Sequence, residues 1–400
     1  MKKIKILFVN ESLTLAGGEK SLIALLSNLD PEKYEIDLQL FSYGAELEEF
    51  LPDWINLLPP LDYTNFLKQS VIKSILGIFK KDRFSYLIAR IKYSIAIRKS
   101  NFNHPEKAQL YWENVGPVIK ASDRKYDVAI AYAQGVPTYY VMDKISSLKK
   151  ICWVNANMIF PEKNKEFQKN YYKGYDTIVP VSKITEKHFG EIFPDLKSRF
   201  YMIPDIVDYH SILKLSNLKE INFEPNTFSI LTVSRLNKKM KGVDILAESC
   251  RILRDRSVNF HWYILGTGDY KNELLEFIKE NHLEERLTLL GTDKNPYPYY
   301  KAADLYVQTS RSESYGIALA EARLLNLPIV TTRFDTVFEQ MIDGKNGLVV
   351  DTNPEAIADG IQKLINDKTL CDSIVAYLKS EPKENLESVE KFDRMISKIF

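Results

Sequence analysis

Two carboxylates flank a stretch of backbone that could bind a phosphate. Glu313 follows a short apolar run, Leu305–Val307, and Glu321 lies eight positions further on, within a predicted helix that begins at Ile317. A helix N-terminus leaves backbone N–H groups unpaired, and these groups form a common anion site. Carboxylates accept hydrogen bonds from vicinal hydroxyls. The pattern therefore favours a ligand whose phosphate is flanked by hydroxyl-rich groups, as in a sugar nucleotide. The backbone N–H groups belong to Ser314, Tyr315, Gly316 and Ile317.

The acid-x7-acid stretch resembles the signature of retaining glycosyltransferases of family 4, which have the GT-B fold. In that family the first acid holds the donor sugar and the second holds the ribose. The resemblance therefore implies a sugar-side role for Glu313 and a ribose-side role for Glu321.

A basic loop after the predicted strand Phe228–Val233 adds to this resemblance. In the family, an Arg at the strand end and a Lys six positions later, before a Gly, hold the donor diphosphate. Arg235, Lys241 and Gly242 match that spacing. Cations aimed at a departing diphosphate stabilise the transition state more than the ground state. Because two fixed cations can replace a divalent metal, and the second half has no Asp-x-Asp motif, we expect no metal and no cofactor. Uracil is the commonest base in the donors of such enzymes, so the resemblance favours a UDP-sugar over a GDP-sugar as donor substrate.

Two glycine-containing loops are further donor-site candidates. Gly266 and Gly268 follow an apolar strand, and glycine permits close backbone approach to a ligand. Gly17 and Gly18 follow the first strand and resemble the family's Gly-Gly-x-Glu loop, although Glu19 here stands one position early. Neither loop has a complete G-x-G-x-x-G or Walker pattern, which argues against a nicotinamide-dependent oxidoreductase or a nucleoside triphosphatase.

Asn155 stands where many members of the family carry a His close to the reacting sugar. An Asn side chain donates and accepts hydrogen bonds but does not titrate, which excludes a general-base role. Two interpretations stay open. Asn155 positions the reacting groups while the departing phosphate takes the acceptor proton, or the chain is a catalytically inactive partner subunit.

Composition narrows the class of protein. The chain has 400 residues, which favours two domains. Its net charge of +1 argues against a nucleic-acid-binding protein. The three cysteines fit neither a disulfide framework nor a zinc site, and no apolar run is long enough to span a membrane. We therefore expect a reducing, cytoplasmic compartment.

Short apolar strands alternate with amphipathic helices, which predicts parallel sheets built from βα units. The predicted strands are Ile4–Val9, Glu35–Phe41, Asp127–Tyr132, Lys150–Val154, Thr177–Val181, Phe200–Ile203, Phe228–Val233, His261–Leu265, Leu287–Leu290, Leu305–Gln308, Ile329–Thr332 and Gly347–Val350. The polar stretch Leu213–Asn226 is interpreted as a linker.

The predicted fold is α/β of the GT-B class, with two Rossmann-like, doubly wound domains facing a central cleft. Residues 1–210 are assigned to an acceptor-binding domain with a basic helical insertion at about 65–120. Residues 225–380 are assigned to a donor-binding domain. Residues 385–400 are predicted to form a helix that crosses back to the first domain.

The region Phe66–Ser100 carries nine basic residues among apolar ones and a single acid, Asp82. Basic amphipathic helices suit an anionic membrane surface. The alternative is a helical insertion with a solvated basic face.

The sequence thus predicts a metal-independent retaining hexosyltransferase that moves a hexose from a UDP-sugar to a hydroxyl of a lipid-linked glycan. The resemblance favours assembly of a capsule or exopolysaccharide at the inner face of the cell membrane. An inactive partner subunit and an oxidoreductase with paired Rossmann domains are the alternatives.

Overall fold

The structure, a computed structural model, describes residues 2–67, 81–383 and 387–399. The chain divides into two compact units. The N-terminal unit comprises Met1–Ile206 and Ser388–Phe400, and the C-terminal unit comprises Val207–Glu387.

The N-terminal unit contains a six-stranded parallel sheet in the order β3-β2-β1-β4-β5-β6. Its strands are β1 (Ile4–Asn10), β2 (Tyr34–Leu40), β3 (Asn56–Leu57), β4 (Lys125–Ala131), β5 (Ser146–Val154) and β6 (Thr177–Pro180). Its helices are α1 (Gly17–Asn28), α2 (Asp62–Leu67), α3 (Lys81–Ala96), α4 (His104–Val115), α5 (Val136–Lys144), α6 (Glu162–Tyr172), α7 (Lys183–Ile192) and α16 (Glu387–Ser397). The chain order reverses between β1 and β4, which makes the sheet doubly wound.

Both faces of this sheet are buried, as a parallel sheet requires. Along β1, Phe8 faces one apolar cluster while Leu7 faces another on the opposite side. Helix α16 covers the first face, where Phe392 stacks on Phe8 at 6.1 Å between ring centroids. The apolar spacing of the C-terminal segment therefore reflects burial in the N-terminal unit.

The C-terminal unit repeats the arrangement, with six parallel strands in the order β12-β11-β10-β7-β8-β9. Its strands are β7 (Phe228–Val233), β8 (Phe260–Leu265), β9 (Leu287–Gly291), β10 (Leu305–Gln308), β11 (Ile329–Thr332) and β12 (Leu348–Val350). Its helices are α8 (Tyr209–Ser216), α9 (Lys238–Lys241), α10 (Val243–Asp255), α11 (Lys271–Glu280), α12 (Tyr297–Ala302), α13 (Ile317–Leu324), α14 (Pro354–Asn366) and α15 (Lys368–Ser380). The chain order reverses here between β7 and β10.

Local sequence explains where these helices begin. Asn353 accepts a hydrogen bond from the Ala356 backbone N–H at the start of α14, and Pro354 occupies the first helical position. The inner face of α14 then packs its apolar residues against α10 and the sheet.

One predicted strand, Phe200–Ile203, is wrong. This segment runs beside β6 and forms only an isolated bridge between Phe200 and Ile178. Pro180 lies in β6 and has no N–H group to donate, so a continuous ladder cannot form there. The sixth strand is instead β3, whose two residues are too few for an alternating pattern to show.

The predicted linker Leu213–Asn226 is wrong at its start, because α8 continues to Ser216. Asp208 caps this helix by accepting a hydrogen bond from the Ser211 backbone N–H. Ile212 is buried, and the Asn295 side chain donates to the Leu215 carbonyl. The segment is therefore part of the C-terminal unit's packing.

The predicted basic region lies partly outside the described residues, which resume at Lys81 after Leu67. Its described part forms α3. Among the described helices, none combines the length and apolar character needed to cross a lipid bilayer.

Candidate active site

The candidate site lies where the chain order of the C-terminal sheet reverses. Strands β7 and β10 are hydrogen-bonded neighbours, and the loops that follow them carry the predicted cations and the first predicted acid. Parallel strands end at the same edge of a sheet, so side chains distant in sequence meet there.

Lys241 and Glu313 form the central contact. The Lys241 ammonium lies 2.6 and 2.7 Å from the two carboxylate oxygens of Glu313. The side chains are 26% and 12% exposed, respectively, so the pair is shielded but reachable from solvent. The structure thus brings together two of the residues that the sequence assigned to one site.

Two further donors hold the Glu313 carboxylate. The Ser310 hydroxyl donates at 2.6 Å and the Gln308 side-chain amide at 3.3 Å. The buried Tyr306 hydroxyl donates to the Gln308 oxygen at 3.0 Å, which orients that amide. Glu313 therefore keeps polar partners even if Lys241 turns to another anion. Ser310 and Gln308 were not predicted as site residues, although both lie within five positions of Glu313.

The loop that carries Lys241 is tied to the loop that carries Glu313. The Arg311 guanidinium forms two hydrogen bonds with the carboxylate of Asp244, and its backbone N–H donates to the Met240 carbonyl at 2.7 Å. The Thr309 hydroxyl donates to the Lys241 carbonyl at 3.0 Å. These bonds fix the distance between the cation and the acid.

The N-terminus of α13 follows directly after Glu313. Gly316 adopts φ +93°, a left-handed conformation that favours glycine, and no side chain caps the helix. The preceding backbone is held because the Gln340 amide donates to the Tyr315 carbonyl at 2.6 Å and the Thr336 hydroxyl donates to the Glu313 carbonyl at 3.1 Å. Ser314, Tyr315, Gly316 and Ile317 thus form a held loop and helix start beside the ion pair.

Glu321 has a different environment. It is only 1% exposed, and its carboxylate accepts hydrogen bonds from the Tyr297 and Tyr300 hydroxyls, each at 3.1 Å. Burial, together with the charge of Glu321, raises the pKa of both hydroxyls well above the ordinary value. Both tyrosines therefore stay protonated donors at neutral pH. Their spacing of three positions on α12 was the sequence signal that could have identified them.

The two acids are linked through Tyr306. Burial, followed by the charges of Glu313 and Glu321, raises the pKa of its hydroxyl well above the ordinary value. The ring of Tyr306 also lies 5.4 Å from that of Tyr300. Glu321 thus belongs to the buried support of the site rather than to its exposed surface.

Arg235 follows β7 but does not join the ion pair. Its side chain is exposed, and it forms no ion pair with any described residue. The structure therefore places Arg235 near the base of the same loop, with its guanidinium available to an anion.

Gly266 and Gly268 allow two loops to interlock. A Cβ atom on Gly266 would lie 1.9 Å from the Ser234 carbonyl oxygen, and one on Gly268 would lie 2.3 Å from that of Leu236. Gly266 has φ +151°. Both glycines are thus required for packing against the loop that carries Arg235, a role that the sequence did not indicate.

The N-terminal unit brings together its own predicted residues. Gly17 and Gly18 begin α1, whose start has no side-chain cap. A Cβ atom on Gly18 would lie 3.2 Å from the Asn155 amide nitrogen, which donates to the Tyr132 carbonyl at 2.9 Å. Asn155 is therefore held against the glycine loop.

A buried acid lies behind that loop. The Ser21 hydroxyl on α1 lies 3.2 Å from the Tyr132 hydroxyl and accepts a hydrogen bond from the Ile206 backbone N–H. Burial raises the pKa of the neighbouring Asp205 to about 7, the hydrogen bond with Ser21 lowers it, and the charge of Glu19 raises it further.

Within the described residues, no group of three or more His, Cys, Asp or Glu side chains is arranged to hold a metal ion.

Comparison with known proteins relates the C-terminal unit to one enzyme family. Residues 215–381, less than half of the chain, match the family model described as glycosyl transferases group 1. The match includes all candidate residues of the C-terminal unit.

Two curated relatives match over longer stretches. The chain is 28% identical to alpha-monoglucosyldiacylglycerol synthase of Acholeplasma laidlawii, over 58% of this chain and 62% of that protein. It is 26% identical to N-acetylgalactosamine-N,N'-diacetylbacillosaminyl-diphospho-undecaprenol 4-alpha-N-acetylgalactosaminyltransferase of Campylobacter jejuni, over 55% of this chain and 58% of that protein. The match thus spans less than two thirds of either relative.

A solved structure matches the fold over nearly the whole chain. The structure is similar to that of Anabaena Alr3699/HepE in complex with UDP-glucose, with a TM-score of 0.70, 18% identity, and coverage of 99% of this chain and 100% of that one. The predicted α/β fold with two Rossmann-like units is confirmed. These similarities support a glycosyltransferase with the GT-B fold.

Gly266, in the loop after β8, and Gly291, at the end of β9, both have positive φ and allow a matched test of loop packing. Gly266→Ala is expected to destabilise the protein by more than about 2 kcal/mol, because its Cβ would collide with the Ser234 carbonyl. Gly291→Ala, at φ +78° with nothing within 4 Å, should cost only about 1–2 kcal/mol of backbone strain. Urea unfolding measures both, and equal losses would contradict the interlocked loops.

The raised pKa of Asp205 predicts that the free energy of unfolding depends on pH. Its folded-state pKa lies above that of unfolded aspartate, so the folded protein binds more protons between about pH 4 and pH 7, and its stability falls as pH rises through that window. The stability of Asp205→Asn relative to the wild type should therefore rise by about 3 kcal/mol from about pH 5 to about pH 8.

The measurement is the free energy of urea unfolding across that pH range. Asp123→Asn, which removes an exposed acid of the same unit, is the control and should follow the wild type. Parallel curves for Asp205→Asn and the wild type would show that Asp205 does not titrate in this way.

Proposed function

We propose that the protein is a retaining glycosyltransferase that transfers a hexose from a UDP-sugar to a hydroxyl of a lipid-linked glycan. The observation that carries the proposal is the Lys241–Glu313 ion pair at the reversal point of the C-terminal sheet. A fixed cation and a fixed acid lie there beside an uncapped helix N-terminus.

The donor diphosphate would bind to the positively charged groups. Lys241 and Arg235 supply full charges, and the N-terminus of α13 supplies N–H groups that point out of the helix. Negative charge grows on the diphosphate as the sugar–phosphate bond breaks, so these groups stabilise the transition state more than the bound donor. In this proposal the fixed cations do the work of a divalent metal.

Glu313 would hold the donor sugar. In this structure it accepts hydrogen bonds from Lys241, and a donor diphosphate would compete for that ammonium. Ser310 and Gln308 keep the carboxylate in place during the exchange, so its oxygens become available to sugar hydroxyls. The ion pair thus acts as a preorganised site whose charges separate when the donor binds.

Glu321 would meet the ribose only through an edge of its buried carboxylate. The two tyrosine hydroxyls leave it some acceptor capacity, since an ionised carboxylate has about four lone-pair positions. The ribose-side role of Glu321 rests on the family resemblance. Hydrogen bonds from the two tyrosines fix the position of the carboxylate that would contact the ribose.

In the N-terminal unit, Gly17 and Gly18 are proposed to approach the donor phosphates, and Asn155 is proposed to position the reacting groups. Asn155 is positioned by the Tyr132 carbonyl and cannot take a proton. The departing phosphate is therefore the proposed base for the acceptor hydroxyl. The names of the two relatives, a glycolipid synthase and a transferase whose name includes diphospho-undecaprenol, support a lipid-linked acceptor. Capsule or exopolysaccharide assembly at the inner membrane face is the proposed setting.

An inactive partner subunit is the second candidate, and the replacement of the family His by Asn155 favours it. The intact ion pair argues against it, because a protein that no longer binds a donor has no need to keep Lys241 and Glu313 paired and supported.

Removing either member of the ion pair should abolish most activity. Lys241→Ala and Glu313→Gln are each expected to lower turnover at least about a hundredfold, because each removes a charge-assisted contact to the transition state. Lys239→Ala is the matched control, since Lys239 is an exposed lysine of the same short helix, α9, and its turnover should stay near that of the wild type.

The donor is first identified by thermal shift with UDP, GDP and several UDP-sugars, and turnover is then measured as release of the nucleoside diphosphate from the stabilising donor. Near-wild-type rates for Lys241→Ala or Glu313→Gln would remove that residue from the site. No stabilisation by any nucleotide would contradict the proposed function.

Activity is also expected to persist in the presence of a chelator, because the proposed diphosphate contacts are Arg235, Lys241 and backbone N–H groups. The assay compares the release rate with EDTA, with added Mg²⁺ and with added Mn²⁺. A strict requirement for either ion would refute the cation-based diphosphate site.

A further inference from the structure

Helix α3 presents one face to the core of the N-terminal unit and the other to solvent. On the inner face Tyr86 and Ala89 are buried. The Tyr86 ring packs edge-on against Tyr63 at 5.5 Å and lies 5.6 Å from Phe66, both of them on α2. The helix is therefore anchored to the unit, and its outer face has a defined orientation.

The outer face carries a continuous apolar stripe. Phe84, Ile88, Ile91 and Ile95 follow one another at spacings of four, three and four positions, which places them on one side of a helix. They are 54%, 38%, 49% and 56% exposed. A single exposed apolar residue is ordinary, but an aligned set of four marks an interaction surface.

Basic residues flank the stripe. At 100° per residue, Arg83 and Arg90 lie on one side of it and Lys92 on the other. Arg98 and Lys99 follow the end of the helix. Between Arg83 and Ser100 the chain has five basic residues and no acid. The surface is thus apolar along its centre and positively charged at its margins.

We propose that this face of α3 docks on a membrane surface of anionic phospholipids. The apolar stripe would enter the boundary between headgroups and acyl chains, and the flanking cations would meet lipid phosphates. Charge complementarity selects this occupant. A second copy of the chain would bring the same patch to a two-fold interface, where the basic residues of one α3 would face those of the other.

The docking surface goes beyond the proposed function, because it assigns named residues of the N-terminal unit to membrane contact. It is consistent with an acceptor carried on a lipid. Vesicle binding requires neither donor nor acceptor, so its failure and the failure of the proposed transfer reaction are distinguishable.

The test is co-sedimentation of the full chain with vesicles of equal parts phosphatidylglycerol and phosphatidylcholine, compared with phosphatidylcholine alone. The wild type should bind the anionic vesicles and lose affinity as salt is raised. Ile88→Ser/Ile91→Ser should lower the partition coefficient at least about tenfold. Arg83→Glu/Lys92→Glu should also lower it at least about tenfold, and the remaining binding should depend less on salt.

Two control variants match these changes elsewhere. Leu148→Ser/Leu218→Ser removes two apolar side chains that are more exposed than the isoleucines, and Lys345→Glu/Lys363→Glu makes the same change of charge on the C-terminal unit. Both should bind vesicles as the wild type does. Circular dichroism melting verifies that every variant folds.

Three outcomes would overturn the proposal. The first is a wild type that binds neither kind of vesicle. The second is an equal loss of vesicle binding in the α3 variants and in the control variants. The third is a wild type that light scattering shows to be a dimer which Ile88→Ser/Ile91→Ser dissociates, because the stripe would then be an interface between two copies.

Discussion

The site in the C-terminal unit depends on one feature of its sheet, the reversal of strand order between the neighbouring parallel strands β7 and β10. The loops after β7 and β10 leave the same edge side by side, and this brings Lys241 to within 2.6 Å of a carboxylate oxygen of Glu313. Neither residue could be placed so closely by local structure alone, since they are distant in sequence. The ion pair is therefore a consequence of strand order, and the bonds from Arg311 and Thr309 maintain it.

Strong local patterns let the sequence predict most of this fold. All six strands of the C-terminal sheet were predicted and are confirmed to within one residue at each end, because most of them are short apolar runs that are buried on both faces. Strand prediction failed where contacts with other parts of the chain, and not the local sequence pattern, decide whether a strand forms. The segment Phe200–Ile203 is apolar enough for a strand, but the missing N–H of Pro180 interrupts its ladder. Strand β3 is too short to show any period.

The candidate site was predictable in its residue types and less so in its contacts. Motif spacing brought Lys241 and Glu313 into one site, and the structure joins them. Motif spacing could not show that Gly266 packs against the loop after β7, because that packing depends on the position of the Ser234 carbonyl. Nor could it show that Glu321 is buried, since a helix-surface acid and a core acid look alike in sequence. The tyrosines that compensate its burial lie on another helix.

Glu313, Glu321 and Asp205 are shielded from solvent, and a different interaction offsets the cost of burying each carboxylate. The charge of Glu313 is balanced by the ammonium of Lys241, a group that another anion can also attract. Glu321 is compensated by hydroxyls whose rings are fixed in the core, so its position is nearly invariant. Burial raises the pKa of Asp205 to about 7, so uptake of a proton reduces the cost of burying its charge. Glu313 thus combines exposure to solvent with a charged partner that another anion can attract, whereas the position of Glu321 is set by the two tyrosines that donate to it.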